Sequence, residues 1–133
     1  MLKKKKGFTL VELLAVIVIL AIILAIAVPG ISGIINNSRR SAFEADVKMI
    51  ITGIEYQILQ STIDTDITAP AVGDILANID DYGADPTNYT AAEITSLDPI
   101  TVTITSSANS EFGAWTATGA TKASVTATPV TTP

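Results

Sequence analysis

The hydrophobic positions of this chain change pattern three times. From Leu13 to Val28 they run without a break, as Leu, Ile, Val and Ala. Residues 8–28 taken as a helix extend about 31 Å at about 1.5 Å per residue, the thickness of a bilayer core. Pro29, Gly30 and Gly33 follow. A proline removes a helical hydrogen bond and each glycine weakens the helix by about 1 kcal/mol, so a kink or loosening is expected there. From Ile34 to about Ile63 a helical period returns. Phe43, Val47, Ile50, Ile51, Ile54 and Ile58 are spaced 4, 3, 1, 3 and 4 apart, one stripe suited to packing on a sheet. Glu44, Lys48 and Glu55 lie largely off it.

Residues 65–98 lose this order. Pro70, Gly73, Gly83 and Pro86, with Asp and Asn between them, predict a connecting region, with short helical turns at 72–79 and 90–97. The last third alternates apolar residues with threonine over 100–105, 114–118 and 123–130, which predicts a three-stranded antiparallel sheet. The expected fold class is therefore α+β: a long N-terminal helix, half transmembrane and half amphipathic, on a small sheet. Phe112 and Trp115 are expected as core or sheet-edge anchors. The Thr/Pro tail, residues 126–133, is expected to fray.

Composition sharpens this picture. A chain of 133 residues has room for one domain, and 48 % hydrophobic content is too high for a disordered one. Half of the basic residues are lysines 3–6; without them, Arg39, Arg40, Lys48 and Lys122 stand against thirteen carboxylates. So acidic a body carries no strong signal for nucleic-acid binding, which needs clustered Lys and Arg, and suits solubility outside the cell. The absence of Cys and His excludes disulfides, Cys/His zinc sites and Ser-His-Asp or Cys-His catalysis. No enzyme activity and no cofactor are expected. Asp80, Asp81 and Asp85 are weak candidates for a calcium ion, with turn chemistry as the competing reading, because their spacing matches no fixed loop pattern. Arg39 and Arg40 form a polar collar just beyond the apolar run, suited to anionic headgroups, to acidic neighbours or simply to water.

The segment ahead of the apolar run admits three readings. A secretory signal has a basic start and an apolar core, but here the core leads into Val28-Pro29-Gly30 rather than a small-residue cleavage site. A plain signal anchor fits the hydropathy but leaves Glu12 unexplained, since a carboxylate inside a span costs about 2.5–3.5 kcal/mol on insertion scales. The third reading places a cut before the apolar core, between Gly7 and Phe8.

Lys6 to Leu14, Lys-Gly-Phe-Thr-Leu-Val-Glu-Leu-Leu, resembles the class III signal of type IV pilins and pseudopilins. The likeness covers the basic leader, Gly7, Phe8, Glu12 as the fifth residue after the cut, the apolar run and Pro29. It implies a prepilin peptidase that cuts after Gly7 and N-methylates Phe8. It implies four segments: a leader over 1–7, a transmembrane and filament-core helix over 8–28, a kinked amphipathic continuation over 29–63, and a connecting region with the sheet over 64–133. It implies that Glu12 of an incoming subunit pairs with the Phe8 amine of one already assembled, setting register. The implied protein is a subunit of a type IV pilus-like surface filament. Its partners would be further copies of itself, the prepilin peptidase, the assembly platform and its ATPase, and the membrane before assembly. It would start as a single-pass protein of the cytoplasmic membrane with its C-terminus outside, as the positive-inside rule also predicts, and end in an extracellular pilus. The alternative is a pseudopilin of type II secretion or DNA uptake, which shares the same signal.

Overall fold

The computed structural model describes residues 7–131. One helix, α1 (Leu10–Ile63), is followed by β1 (Gly73–Asp74), two 3-10 segments (Leu76–Tyr82 and Pro86–Asn88), and then β2 (Tyr89–Leu97), β3 (Ile100–Ser106), β4 (Trp115–Ala120) and β5 (Ala127–Pro129). The chain divides into two units, Met1–Asn36 and Asn37–Pro133.

The first unit carries the apolar part of α1. Its large aliphatic side chains, from Leu10 to Ile35, are all exposed. The helix is long and apolar enough to cross a membrane by length and composition. Helical structure continues through Pro29, Gly30 and Gly33.

The second unit holds the core. Phe43, Val47, Ile50, Ile51 and Ile54 of α1 are fully buried, and Ile58 packs partly against the same cluster. The helical stripe thus lies where its spacing places it. Ile94, Val102, Ile104, Ala117 and Ala127 supply the sheet's part of this core, with Ile79 from the first 3-10 segment. Phe43 meets Phe112 edge to face, ring centroids 6.1 Å apart, and the Tyr89 ring packs on Phe112 at a tilt, 6.4 Å between centroids. Trp115 is half-buried, and its indole N–H donates to the Phe112 carbonyl at 2.8 Å. The buried Ser106 hydroxyl donates to the Gly113 carbonyl and accepts from the Trp115 amide at 2.9 Å.

The sheet has five antiparallel strands in the order β1-β2-β3-β4-β5, not three. Two strands sit in the region expected to be a connection. β2 occupies the stretch expected as a helical turn at 90–97. Its alternation is hidden because the register with β3 shifts between Tyr89 and Ala91 and again between Ile94 and Ser96. The first shift is why Tyr89 and Ala92, three residues apart, are both buried; a bulge places two residues opposite one and breaks the period of two. β1 pairs only Gly73 with Ile94 and Asp74 with Glu93, too short for any periodicity to register. The turn expected at 72–79 is divided between β1 and the 3-10 segment, which ends on Gly83 at φ 88, the left-handed region that favours glycine. The expected last strand, 123–130, shrinks to Ala127–Pro129, because Thr121 and Ser124 close a turn with two backbone hydrogen bonds.

Two polar contacts tie α1 to the end of the sheet. Glu44, expected off the stripe, is half-buried; its Oε1 accepts from Arg40 Nε at 3.2 Å and from the Ala127 amide of β5 at 3.0 Å. Lys122 Nζ donates to Glu55 at 2.7 Å.

Candidate functional site

Gly7, Phe8 and Thr9 precede the helix in non-helical backbone, and Phe8 is 89 % exposed. The Gly7–Phe8 bond therefore lies in an accessible stretch two residues before the first helical position. Lysines 3–6 fall outside the described residues.

Glu12 sits in the first turn of α1. The Thr9 amide donates to Glu12 Oε2 at 3.2 Å, and the Glu12 amide donates to Thr9 Oγ1 at 3.2 Å. These reciprocal bonds satisfy two of the amide donors that a helix start leaves unpaired, with Thr9 as the N-cap and Glu12 three residues on. The Leu13 amide closes the turn onto the Thr9 carbonyl at 3.1 Å. The negative carboxylate lies at the positive end of the helix dipole, which favours it. Glu12 is the one charged residue between Phe8 and Ser38, and it is bound within its own chain only through one oxygen among the described contacts. Sequence reasoning gave Glu12 an intermolecular partner and missed this local one, although Thr-x-x-Glu ahead of an apolar run is a capping signal.

At Pro29 the missing N–H deprives the helix of one rung. Ser32 Oγ donates to the Pro29 carbonyl at 2.9 Å, adding a side-chain bond beside the gap. A Cβ added at Gly30 or Gly33 would meet nothing within 4 Å. Neither glycine is therefore required by crowding inside the chain.

The weak metal candidates do not converge. Asp80 and Asp81 belong to the 3-10 segment Leu76–Tyr82, and Asp85 caps the next one. The Asp85 carboxylate accepts from Thr87 Oγ1 at 2.6 Å and from the Thr87 amide at 2.9 Å. These bonds, the hydroxyl's foremost, hold it below the usual carboxylate value. Among the described residues no three His, Cys, Asp or Glu side chains gather as a metal site. In the collar, Arg39 is exposed while Arg40 is engaged by Glu44.

Compared with known families, residues 2–28 match the model described as the prokaryotic N-terminal methylation motif, the class III prepilin signal of type IV pilins. That signal is shared by type IV pilin-like and pseudopilin proteins, whose family is structural, and it implies prepilin peptidase processing and filament assembly in general. With the apolar helix it fits a membrane-anchored precursor followed by a surface filament. No curated protein and no solved structure matches the chain.

Proposed function

We propose that this chain is the structural subunit of a type IV pilus-like surface filament. The observation that carries the proposal is the methylation motif over residues 2–28, whose helical part belongs to an apolar stretch with every large aliphatic side chain from Leu10 to Ile35 exposed and Glu12 the one charge between Phe8 and Ser38. A peptidase cut between Gly7 and Phe8 discards the four lysines and leaves a new amine on Phe8, which is then methylated. The Thr9–Glu12 pair leaves one carboxylate oxygen available beside that amine's end of the helix. In a low dielectric an unpaired carboxylate is expensive and a paired one far less so. A neighbour's Phe8 amine is then the partner that lets Glu12 leave the headgroup region, and only one axial register brings the two together. The apolar helices exchange lipid for one another as the subunits bundle. Pro29, Gly30 and Gly33 provide the point where the helix bends or loosens in this transfer, which fits the absence of any packing demand for glycine within the chain.

The prepilin peptidase, the assembly ATPase and its membrane platform would act on the chain from outside it. Replacing Glu12 with Leu tests the register mechanism. Electron microscopy of cells should show abundant surface filaments with the unsubstituted protein and none with E12L. Normal filaments from E12L would overturn the pairing, and cells of the unsubstituted strain that bear none would overturn the filament assignment. Short stubs confined to the envelope would point to the pseudopilin alternative.

A further inference from the structure

The sheet turns one face to α1 and leaves the other open. Alternation along β3, β4 and β5 puts Val102, Ile104, Ala117 and Ala127 in the core. It sends Thr101, Thr103, Thr105, Thr116, Thr118 and Thr128 to the opposite side. Thr105, Thr116 and Thr128 are partners across the three strands and form one row. Most of these hydroxyls are taken up by the sheet itself. Thr105 and Thr116 share a hydrogen bond of 2.6 Å between their Oγ1 atoms, and Thr101 Oγ1 donates to the Pro99 carbonyl at 3.0 Å. Thr103 Oγ1 accepts from the Gly119 amide at 3.3 Å, and Thr128 Oγ1 donates to the Thr116 carbonyl at 3.4 Å. A threonine engaged in this way has its methyl left for a partner. The face over β3–β5 also carries no charge. From Pro99 to Pro133 the charged residues are Glu111 and Lys122. Glu111 lies in the turn between β3 and β4, and Lys122 is bonded to Glu55 of α1. Carboxylates stand at the other edge of the sheet, where Glu93 of β2 is paired with Asp74 of β1.

We infer that this threonine face joins one filament to another, each copy laying it on the same face of a copy in a neighbouring filament. The inference rests on the filament function proposed above, whose helices bundle with one another and leave contacts between filaments to other surfaces. The body of the chain is acidic, with Arg39, Arg40, Lys48 and Lys122 against thirteen carboxylates once lysines 3–6 are removed. Two copies therefore repel wherever carboxylates meet, and β3–β5 is a neutral area on which they can close. A sugar is a poorer fit, because such ligands take concave sites with aromatic rings and available polar groups. The one aromatic residue of these strands, Trp115, packs against the core instead. Charge also selects the orientation. A two-fold axis along β4 lays β3 of one copy on β5 of the other, with Thr118 on Thr118 and Thr105 on Thr128. It puts the two Glu93–Asp74 edges on opposite sides, whereas a two-fold across the strands would bring them together. The favoured arrangement keeps the strands running the same way, so the filaments lie parallel, within the roughly 30° of aligned sheet packing. The area of β3–β5 is about 14 Å by 23 Å, roughly 300 Å². A stable free complex takes about 800 Å² from each partner. Single subunits therefore stay apart, and the contact holds where filaments repeat it many times.

The test uses filaments of the full chain. At about 150 mM salt, which screens charges beyond about 8 Å, electron microscopy should show unsubstituted filaments in parallel bundles. At about 10 mM salt, where screening weakens, the bundles should separate. Thr118 is exposed, and Thr118→Glu and Thr118→Lys should each assemble filaments and keep the unfolding transition reported by Trp115. Each should form roughly tenfold fewer bundles, because like charges then meet across the two-fold. When filaments of the two variants carry different labels and are mixed, bundles containing both should return. Thr118→Val, which keeps a methyl and loses the hydroxyl, should bundle like the unsubstituted chain. Undiminished bundles from both charged variants, or single unsubstituted filaments at about 150 mM salt, would overturn the interface while leaving the filament function standing. Failure of the mixed variants to bundle would overturn the contact between like faces. Dispersal by Thr118→Val would overturn it in favour of a hydrogen-bonded ligand such as a sugar. Absence of filaments from the unsubstituted chain would instead overturn the function on which the inference rests.

Discussion

Gly53 lies on α1 where the helix meets the first 3-10 segment. A Cβ built at this position would stand 2.5 Å from the Tyr82 carbonyl oxygen and 2.9 Å from Tyr82 Cα. Both are backbone atoms, so no side-chain rotation relieves the clash. Ordinary contact begins near 3.4 Å, and Gly53→Ala must push the segment Leu76–Tyr82 back by roughly 0.9 Å, the difference between these distances. Ile79 and Tyr82 are buried in the core, so the displacement spreads into packed side chains. Overpacking of this kind costs about 1–3 kcal/mol, and the better helix propensity of alanine returns about 1 kcal/mol. A net loss of about 1 kcal/mol is expected, and in a domain of this size each kcal/mol lowers Tm by roughly 4–8 °C. Trp115, the only tryptophan, reports on this unit. Thermal unfolding of the full-length protein in detergent micelles, followed by Trp115 fluorescence, should show the decrease. Gly30→Ala, where an added Cβ meets nothing within 4 Å, should leave that transition unchanged. A Tm for Gly53→Ala equal to or above that of the unsubstituted protein would refute the close approach as the reason for glycine.

Asp46 gives a test of opposite character. Burial first, and the Glu111 carboxylate second, raise its pKa above the ordinary 3.8. The folded chain holds this proton more tightly than the unfolded one, so the contribution of Asp46 to stability is present below pH 3.8 and is lost as pH rises through the raised folded value. Asp46→Asn should therefore increase Tm at pH 7, with the gain over the unsubstituted protein shrinking toward pH 3; a constant difference across that range would count against the titration. Thr9→Val removes the hydroxyl that accepts from the Glu12 amide and should weaken the helix start by about 1 kcal/mol. Amide exchange of residues 10–12 in micelles should accelerate several-fold while exchange in the β2–β3 pair stays as it was; unchanged exchange at 10–12 would refute the cap.

Much of the chain was legible because its periodicities are long. The stripe from Phe43 to Ile54 needs only the helical repeat to be read, and all five of its residues up to Ile54 are buried. The expected β3, with its Ile/Val–Thr alternation, also stands. What escaped depends on partners distant in sequence. β2 is bulged, so its own pattern is not that of a strand, and β1 exists only because β2 pairs with it. Gly53 looks like any helical glycine until the carbonyl of Tyr82 is brought against it. At the N-terminus the reverse holds. Gly7, Phe8 and Glu12 are identifiable by their order alone, and the local bond between Thr9 and Glu12 was available in the same four residues.

The central claim is that residues 1–7 are discarded and Phe8 begins the assembled subunit. The most direct measurement is the N-terminus of the protein in filaments sheared from the cell surface, by mass spectrometry. The expected result is a chain starting at N-methylated Phe8. Surface filaments whose subunits still carry lysines 3–6 and Gly7 would contradict it.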